Sequence, residues 1–291
     1  MKKALVTGAN GLLGRQLIKV LARRFEAIPT HNTRAAQPRS VGMNVADKRA
    51  VLRVLDHFRP DMVVHTAAET DVDRCETDRE LAWSINAEGT GNVAEACRKI
   101  GAKLIYVSTD YVFDGNKGMY KEEDEPKPVN YYGLSKLRGE ELVKKTCDAF
   151  VVARTSVLYG WHPSKRNYAT WIMDSLKNRK RINVVTDHYN SPTYADDLAE
   201  TISRVIERDV NGILHVSGKD RVSRYDFAME IAEVFGLDPS LVTPVKMADL
   251  KAWVARRPRD SSLDVGKAEN ELGIRFPKVT ESLIRMKRTQ S

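Results

Sequence analysis

The first twenty residues constrain this chain more than any other stretch. A short apolar run, Lys3 to Thr7, gives way to Gly8, Gly11 and Gly14, and Leu13, Leu17 and Leu21 then recur every four residues. That pattern is a buried strand turning tightly into a helix. The first glycine permits the turn, the second lets backbone approach a bound group, and the third lets helix and strand pack closely. A helix N-terminus adds free N–H groups and a positive dipole end. In the order strand, glycine loop, helix, the pattern is a dinucleotide fingerprint, with Gly8, Asn10, Gly11, Leu12, Leu13 and Gly14 as candidate contacts.

The alternation continues. Glu26 to Thr30 reads as a second strand, Lys48 to Phe58 as a helix stopped before Pro60, and Asp61 to Ala67 as a third strand. Glu88 to Ile100 is a helix closed by Gly101. Ala102 to Ser108 is a strand, Tyr131 to Lys145 a helix and Phe150 to Arg154 a further strand. Near-continuous apolar strands are those of a parallel sheet buried on both faces. The expectation is an α/β protein with a doubly wound, Rossmann-type sheet and right-handed crossovers. Beyond Gly160 the alternation loosens. Residues 1–160 are expected to form a dinucleotide-binding domain and 161–291 a smaller, mainly substrate-binding lobe. Segments about 182–200 and 212–217 should return to the first domain.

Composition excludes several classes. Of 291 residues, 42% are hydrophobic and 30% charged, and no apolar run reaches the ~18 residues of a membrane span. The N-terminus enters a strand directly, so no secretory leader is expected. Cys75, Cys97 and Cys147 are odd in number and lack metal-ligand spacing, which fits a reducing, cytoplasmic setting and no metal. Net charge is +8, with basic runs at Lys177-Asn178-Arg179-Lys180-Arg181 and Arg256-Arg257-Pro258-Arg259. A solvated helix end followed by a turn explains the first; attraction of anionic small molecules is the sharper reading. Nothing interleaves basic and aromatic residues as a nucleic-acid surface would.

Tyr132-Gly133-Leu134-Ser135-Lys136 sets a phenol and an ammonium four residues apart on one helix face. Ser108-Thr109-Asp110-Tyr111-Val112-Phe113-Asp114-Gly115 stands at the C-terminal end of a strand, the edge where ligands bind in open α/β sheets. With the Gly-x2-Gly-x2-Gly spacing, these pieces resemble the extended short-chain dehydrogenases/reductases. Asp187-His188-Tyr189-Asn190-Ser191-Pro192-Thr193, Arg257-Pro258 and Ser262-Leu263-Asp264 narrow the resemblance to dTDP-4-dehydrorhamnose reductases. The same segments are similar to the regulatory subunit of methionine adenosyltransferase. The similarity runs from Lys3 to about Ile284.

The resemblance implies reduction of a 4-keto nucleotide sugar, dTDP-4-dehydrorhamnose first, by NADP(H). Tyr132 would be the general acid. Lys136 would lower a phenol pKa that is ordinarily ~10 and hold the nicotinamide ribose. Thr109 would hold the substrate oxygen; Ser108 is the alternative hydroxyl, which strand alternation points to the other side. Ala67 and Ala68 would let the cofactor lie flat and Asn44-Val45 would meet the adenine, although tight packing and a plain turn explain these residues as well. Thr70 and Val72 match positions near the sugar, and Asp110, Tyr111, Asn190 and Arg257 complete the candidate substrate set. Asp187 and Asn190 could equally shape a turn. Asn86 is expected to brace the active-site strand or lie exposed at a helix start, and His65 and His31 to be structural or surface residues. Thr30-His31-Asn32-Thr33-Arg34 lacks the acidic residue that binds a ribose 2′-hydroxyl and offers Arg34, favouring NADP(H) over NAD(H). Val157 stands where bacterial dehydrorhamnose reductases carry tryptophan and the regulatory-subunit relatives do not. Two rival functions follow: a non-catalytic regulatory subunit that keeps the dinucleotide, and a nucleotide-sugar epimerase or dehydratase. A homodimer is compatible with either.

Overall fold

A computed structural model describes residues 1–33, 39–250 and 253–290. Seven parallel strands form the central sheet: β1 (Lys3–Thr7), β2 (Glu26–His31), β3 (Val41–Gly42), β4 (Met62–His65), β5 (Lys103–Thr109), β6 (Phe150–Thr155) and β7 (Gly212–His215). Their spatial order is β7-β6-β5-β4-β1-β2-β3. Leu5 of β1 sits opposite Ile28 on one side and Val63 on the other, so the middle of the sheet is apolar throughout. Strand order reverses between β1 and β4, and the crevice beyond their carboxyl ends is where a doubly wound sheet binds its ligand.

Helices α1 (Leu12–Leu21), α2 (Lys48–Phe58), α3 (Gly89–Ile100), α4 (Tyr131–Thr146), α5 (Ala195–Glu207) and α6 (Arg224–Phe235) supply most of the packing. On one face Leu13, Leu17 and Leu21 of α1 meet Leu198 and Ile202 of α5. The opposite face is closed by Val51, Val54 and Leu55 of α2, Val93 and Cys97 of α3, and Val143 of α4. A third core, around Ile172, Phe227, Ile231 and Leu283, belongs to the small lobe. Of the segments expected to return to the sheet, α5 packs on α1 and Gly212–His215 pairs with β6. Ile182–Val185 pairs instead with Val242–Val245, and Thr193–Tyr194 pairs with Leu158–Tyr159 just after β6.

Local chemistry explains the boundaries. Asp47 caps α2 by accepting from Arg49 N and Ala50 N. Strand β4 stops at His65, two residues short of the sequence expectation, because Thr7 Oγ1 accepts the N–H groups of Thr66 and Ala67, each at 3.1 Å. Ahead of α3, Trp83–Glu88 forms a π-helical turn rather than helix of ordinary pitch. The run Lys177–Arg181 is exposed. Cys75, Cys97 and Cys147 are buried free thiols. Among the described residues no helix is long and apolar enough to cross a membrane, and no His, Cys, Asp and Glu cluster could hold a metal.

Candidate active site

The ends of β1, β4, β5 and β6 open into one cavity of about 620 Å³, which the glycine loop walls on one side and α4 on the other. The three glycines divide by role. Gly8 has φ +65, and a Cβ there would lie 2.9 Å from Ala67 Cα. A Cβ on Gly14 would lie 2.4 Å from Gly8 O and 2.7 Å from Ala9 Cα. Those two are required by the fold itself. Gly11 is different: its backbone (φ −72, ψ 170) suits any residue, and a Cβ would meet only Gly8 O, at 3.2 Å. The space that a Gly11 side chain would fill belongs to the cavity, as a loop cradling a diphosphate requires. The residues present therefore fit a dinucleotide.

Asn10, Leu12, Leu13, Asn44, Val45, Ala67 and Ala68 line the same cavity. Arg34 lies outside the described residues. Its neighbours His31, Asn32 and Thr33 reach the cavity wall, and none of them is acidic. His31 Nδ1 is bonded to Ser40 Oγ at 2.7 Å, a surface anchoring role.

Thr109, Tyr132 and Lys136 line the same cavity as the glycine loop. Asn130 caps α4 by accepting from Gly133 N at 2.9 Å, and its amide donates to Arg256 O at 2.8 Å, which fixes α4 against the C-terminal segment. The Tyr132 phenol is hydrogen-bonded to Thr109, and burial holds it protonated well above the usual tyrosine range, with Thr109 opposing. Lys136 lies one turn further along α4. Its ammonium donates to Val107 O at 2.8 Å and stands 4.2 Å over the Tyr106 ring, turned into the protein. Burial pushes its pKa down to about 7, against the pull of Glu140. The phenol of Tyr132 is thus raised by desolvation, not lowered by its neighbour; a protonated phenol is the form that can give up a proton.

Ser108 also reaches the cavity, but its hydroxyl donates to Glu140 Oε1 at 2.6 Å. Glu140 forms a buried pair with Arg154, at 3.0 and 2.7 Å. Ser108 is thereby committed behind the site, leaving Thr109 as the hydroxyl beside Tyr132. Asn86, on the π-helical turn, accepts from Glu69 N at 2.9 Å and donates to Ser135 Oγ at 3.1 Å. It ties the segment after β4, whose Thr70 and Val72 line the cavity, to α4. A π-turn at such a junction is typical of functional sites. His65 is fully buried between Thr7 Oγ1 and Thr90 Oγ1, and burial lowers it to about 3, so it stays neutral and structural.

The candidate substrate residues separate. Thr70, Val72, Thr109 and Tyr111 are on the cavity wall. Asp110 touches it too, but accepts from Ser156 Oγ, Ser261 Oγ and Thr109 Oγ1, and burial raises its pKa. Asn190 is fully buried, donating to Ser261 Oγ at 2.9 Å and Asp110 Oδ2 at 3.4 Å, and does not line the cavity. Arg257 is also off the wall, forked onto Asp73 at 3.0 and 2.9 Å. Asp187 Oδ1 accepts from Met247 N and shapes a turn. Residues that carried no sequence motif do line the cavity: Lys165, Arg166 and Asn167 from the loop after β6, and Arg224 at the start of α6. Val157 is there as well, with φ +40, a conformation that a β-branched residue rarely takes.

Comparison with known proteins gives concordant results. The family model of the RmlD substrate binding domain matches residues 1–290. A probable low-salt glycan biosynthesis reductase, Agl14, of Haloferax volcanii is 35% identical over 292 residues, 96% of this chain and 95% of its own. Methionine adenosyltransferase 2 subunit beta of Bos taurus is 35% identical over 280 residues, 94% of this chain and 83% of its own. The crystal structure of a dTDP-4-dehydrorhamnose reductase from Bacillus anthracis in complex with NADP superposes with TM-score 0.91 at 34% identity, covering 99% of both chains.

Proposed function

This chain belongs to the RmlD substrate binding domain family, and on that premise we propose that it reduces a 4-keto nucleotide sugar with NADP(H). The substrate we favour is dTDP-4-dehydrorhamnose, giving dTDP-rhamnose. One observation carries the proposal: Thr109, Tyr132 and Lys136 stand together on the wall of the cavity that the glycine loop opens into. NADPH, when bound, supplies the hydride. Gly8 to Gly14 would cradle its diphosphate, Asn44 and Val45 its adenosine side, and Ala67 and Ala68 its flat approach. For the 2′-phosphate the candidate is Arg34.

Tyr132 then acts as general acid. Its phenol, kept protonated by burial, gives its proton to the carbonyl oxygen as that oxygen gains charge. Thr109 hydrogen-bonds the same oxygen and holds it in line with the phenol. Lys136, one turn along α4, would hold the nicotinamide ribose and, as an ammonium, stabilise the phenolate that proton loss leaves behind. Thr70, Val72 and Tyr111 shape the space for the sugar. Three buried free thiols fit a reducing compartment, so the cytoplasm is the proposed location and a homodimer a compatible assembly.

A second function has its own support. Val157 replaces the tryptophan typical of bacterial dehydrorhamnose reductases, and the methionine adenosyltransferase subunit is as similar as the reductases. A dinucleotide-binding regulatory subunit would show the same cavity. NADPH oxidation with a panel of 4-keto nucleotide sugars decides. Turnover of dTDP-4-dehydrorhamnose supports the reductase; NADPH binding without turnover of any member supports the subunit.

A further inference from the structure

The cations around the cavity are not equivalent. Lys136 has its role beside Tyr132 in the function proposed above, and its ammonium donates to Val107 O. Arg166 pairs with Asp174 at 3.3 Å, and Lys165 is exposed at the rim. Arg257, the cation that sequence motifs nominate, is bound by both Asp73 oxygens and lies off the wall. Arg224 remains. It is half-buried, it lines the cavity, and among the described residues no carboxylate forms an ion pair with it.

The surroundings of Arg224 hold it in place without neutralising it. Its N–H donates to His188 O at 2.9 Å, and its carbonyl accepts from Tyr168 Oη at 2.9 Å. The guanidinium lies 4.6 Å over the Tyr168 ring, and its charge acts on the neighbouring Tyr111 phenol. Neighbouring acids are otherwise engaged: Asp226 accepts from Ser223 N and Oγ, and Asp110 from Ser156, Ser261 and Thr109. A guanidinium has five donors in a rigid fork matched to phosphate, and here an edge remains for a ligand. Asp110 feels the Arg224 charge but forms no ion pair with it, so the guanidinium keeps donors that an incoming anion can use.

Position identifies the anion. The Tyr111 ring centroid is 5.8 Å from that of Tyr132, and Arg224 acts on the Tyr111 phenol, so Tyr111 neighbours both the proposed general acid and Arg224. In a 4-keto hexose the carbonyl carbon and the anomeric carbon lie on opposite sides of the ring. With the carbonyl at Tyr132, the group on the anomeric carbon projects away from it, past Tyr111. In a nucleotide sugar that group is a diphosphate. We propose that Arg224 binds the substrate diphosphate as a bidentate partner and sets the requirement for a nucleotide-linked sugar. The assignment rests on the reductase function proposed above.

The test uses the full-length protein and free dTDP as probe, with thymidine and NADPH as controls, titrated by calorimetry. Arg224→Met keeps an apolar stem over Tyr168 and removes the charge; Arg224→Lys keeps a point charge and serves if the first variant folds poorly. Loss of a charged bidentate contact should weaken dTDP binding roughly tenfold to hundredfold in Arg224→Met and less in Arg224→Lys. Thymidine and NADPH affinities should stay within about twofold. Unchanged dTDP affinity in a folded variant, or a wild-type protein that does not bind dTDP, overturns the assignment. If wild-type protein binds dTDP through Arg224 yet reduces no keto sugar, the reductase function fails and the diphosphate site stands.

Discussion

Gly11 and Gly14 should fail in opposite ways when substituted. In Gly14→Ala the new Cβ lies 2.4 Å from Gly8 O and 2.7 Å from Ala9 Cα, both backbone atoms that cannot turn aside. Overpacking of that kind costs up to ~3 kcal/mol, while replacing glycine inside a helix returns ~1 kcal/mol. The net loss of about 2 kcal/mol should lower Tm by roughly 4–8 °C. In Gly11→Val the backbone is already suited to a side chain, and the Cβ meets one atom, at 3.2 Å. Replacing glycine at a helix cap costs about 1 kcal/mol or less, so Tm should move by only a few degrees. The valine methyls enter the space proposed for the diphosphate, and NADPH affinity should fall by about a hundredfold or more through lost charge-assisted bonds and collision. Differential scanning fluorimetry and NADPH titration on both variants read the two effects separately. Undiminished NADPH affinity in folded Gly11→Val would refute the division of roles.

Four further outcomes are expected, the last resting on the sequence alone. Lys136 must be an ammonium to support Tyr132, and its pKa is pushed down to about 7. The kcat/KM for reduction should therefore fall about tenfold per pH unit above that value, and a profile flat between about pH 6 and pH 9 would contradict the assignment. Opposite in sign, the buried lysine adds stability to the ligand-free protein as pH rises from about 7 towards the ordinary lysine value, because the unfolded chain binds the extra proton. Glu140→Gln leaves the Arg154 guanidinium buried without its partner; removing one member of such a pair costs about 3–5 kcal/mol, so Tm should drop by roughly 6–20 °C, and a drop under about 2 °C would show the pair to be dispensable. Arg34→Ala should weaken NADPH binding roughly tenfold to hundredfold and leave NADH unchanged, and equal loss for both would make Arg34 a bystander.

The sheet was legible because its signals are local. Lys48 to Phe58 is helical over the expected range, with Asp47 and Pro60 bounding it in the sequence itself. Strand β4 was read two residues too long because its end is set by the Thr7 hydroxyl, 59 positions from Thr66. Nothing in Trp83-Ser84-Ile85-Asn86-Ala87-Glu88 distinguishes a π-turn from an α-turn; the extra residue follows from Asn86 reaching both Glu69 and Ser135. Within the site, the glycine loop and the Tyr132–Lys136 pair sit within single elements and could be read from spacing. Partner choice could not. Arg257 looked free until Asp73, 184 positions away, was seen to hold it. Arg224 carries no motif, and only folding brings it beside Tyr111. The state of Lys136 depends on burial against Tyr106, which no spacing encodes.

Tyr132→Phe tests the proposed chemistry most directly. The substitution removes one oxygen and leaves the ring packed against Tyr111, the glycine loop untouched and Lys136 in place. Measured side by side on folded wild-type and variant protein, NADPH affinity should agree within a few-fold. Turnover of dTDP-4-dehydrorhamnose should fall by about 10²–10⁴, the contribution of a lost general acid. Equal turnover by the two proteins would contradict the role given to Tyr132, and with it the reaction proposed for the cavity.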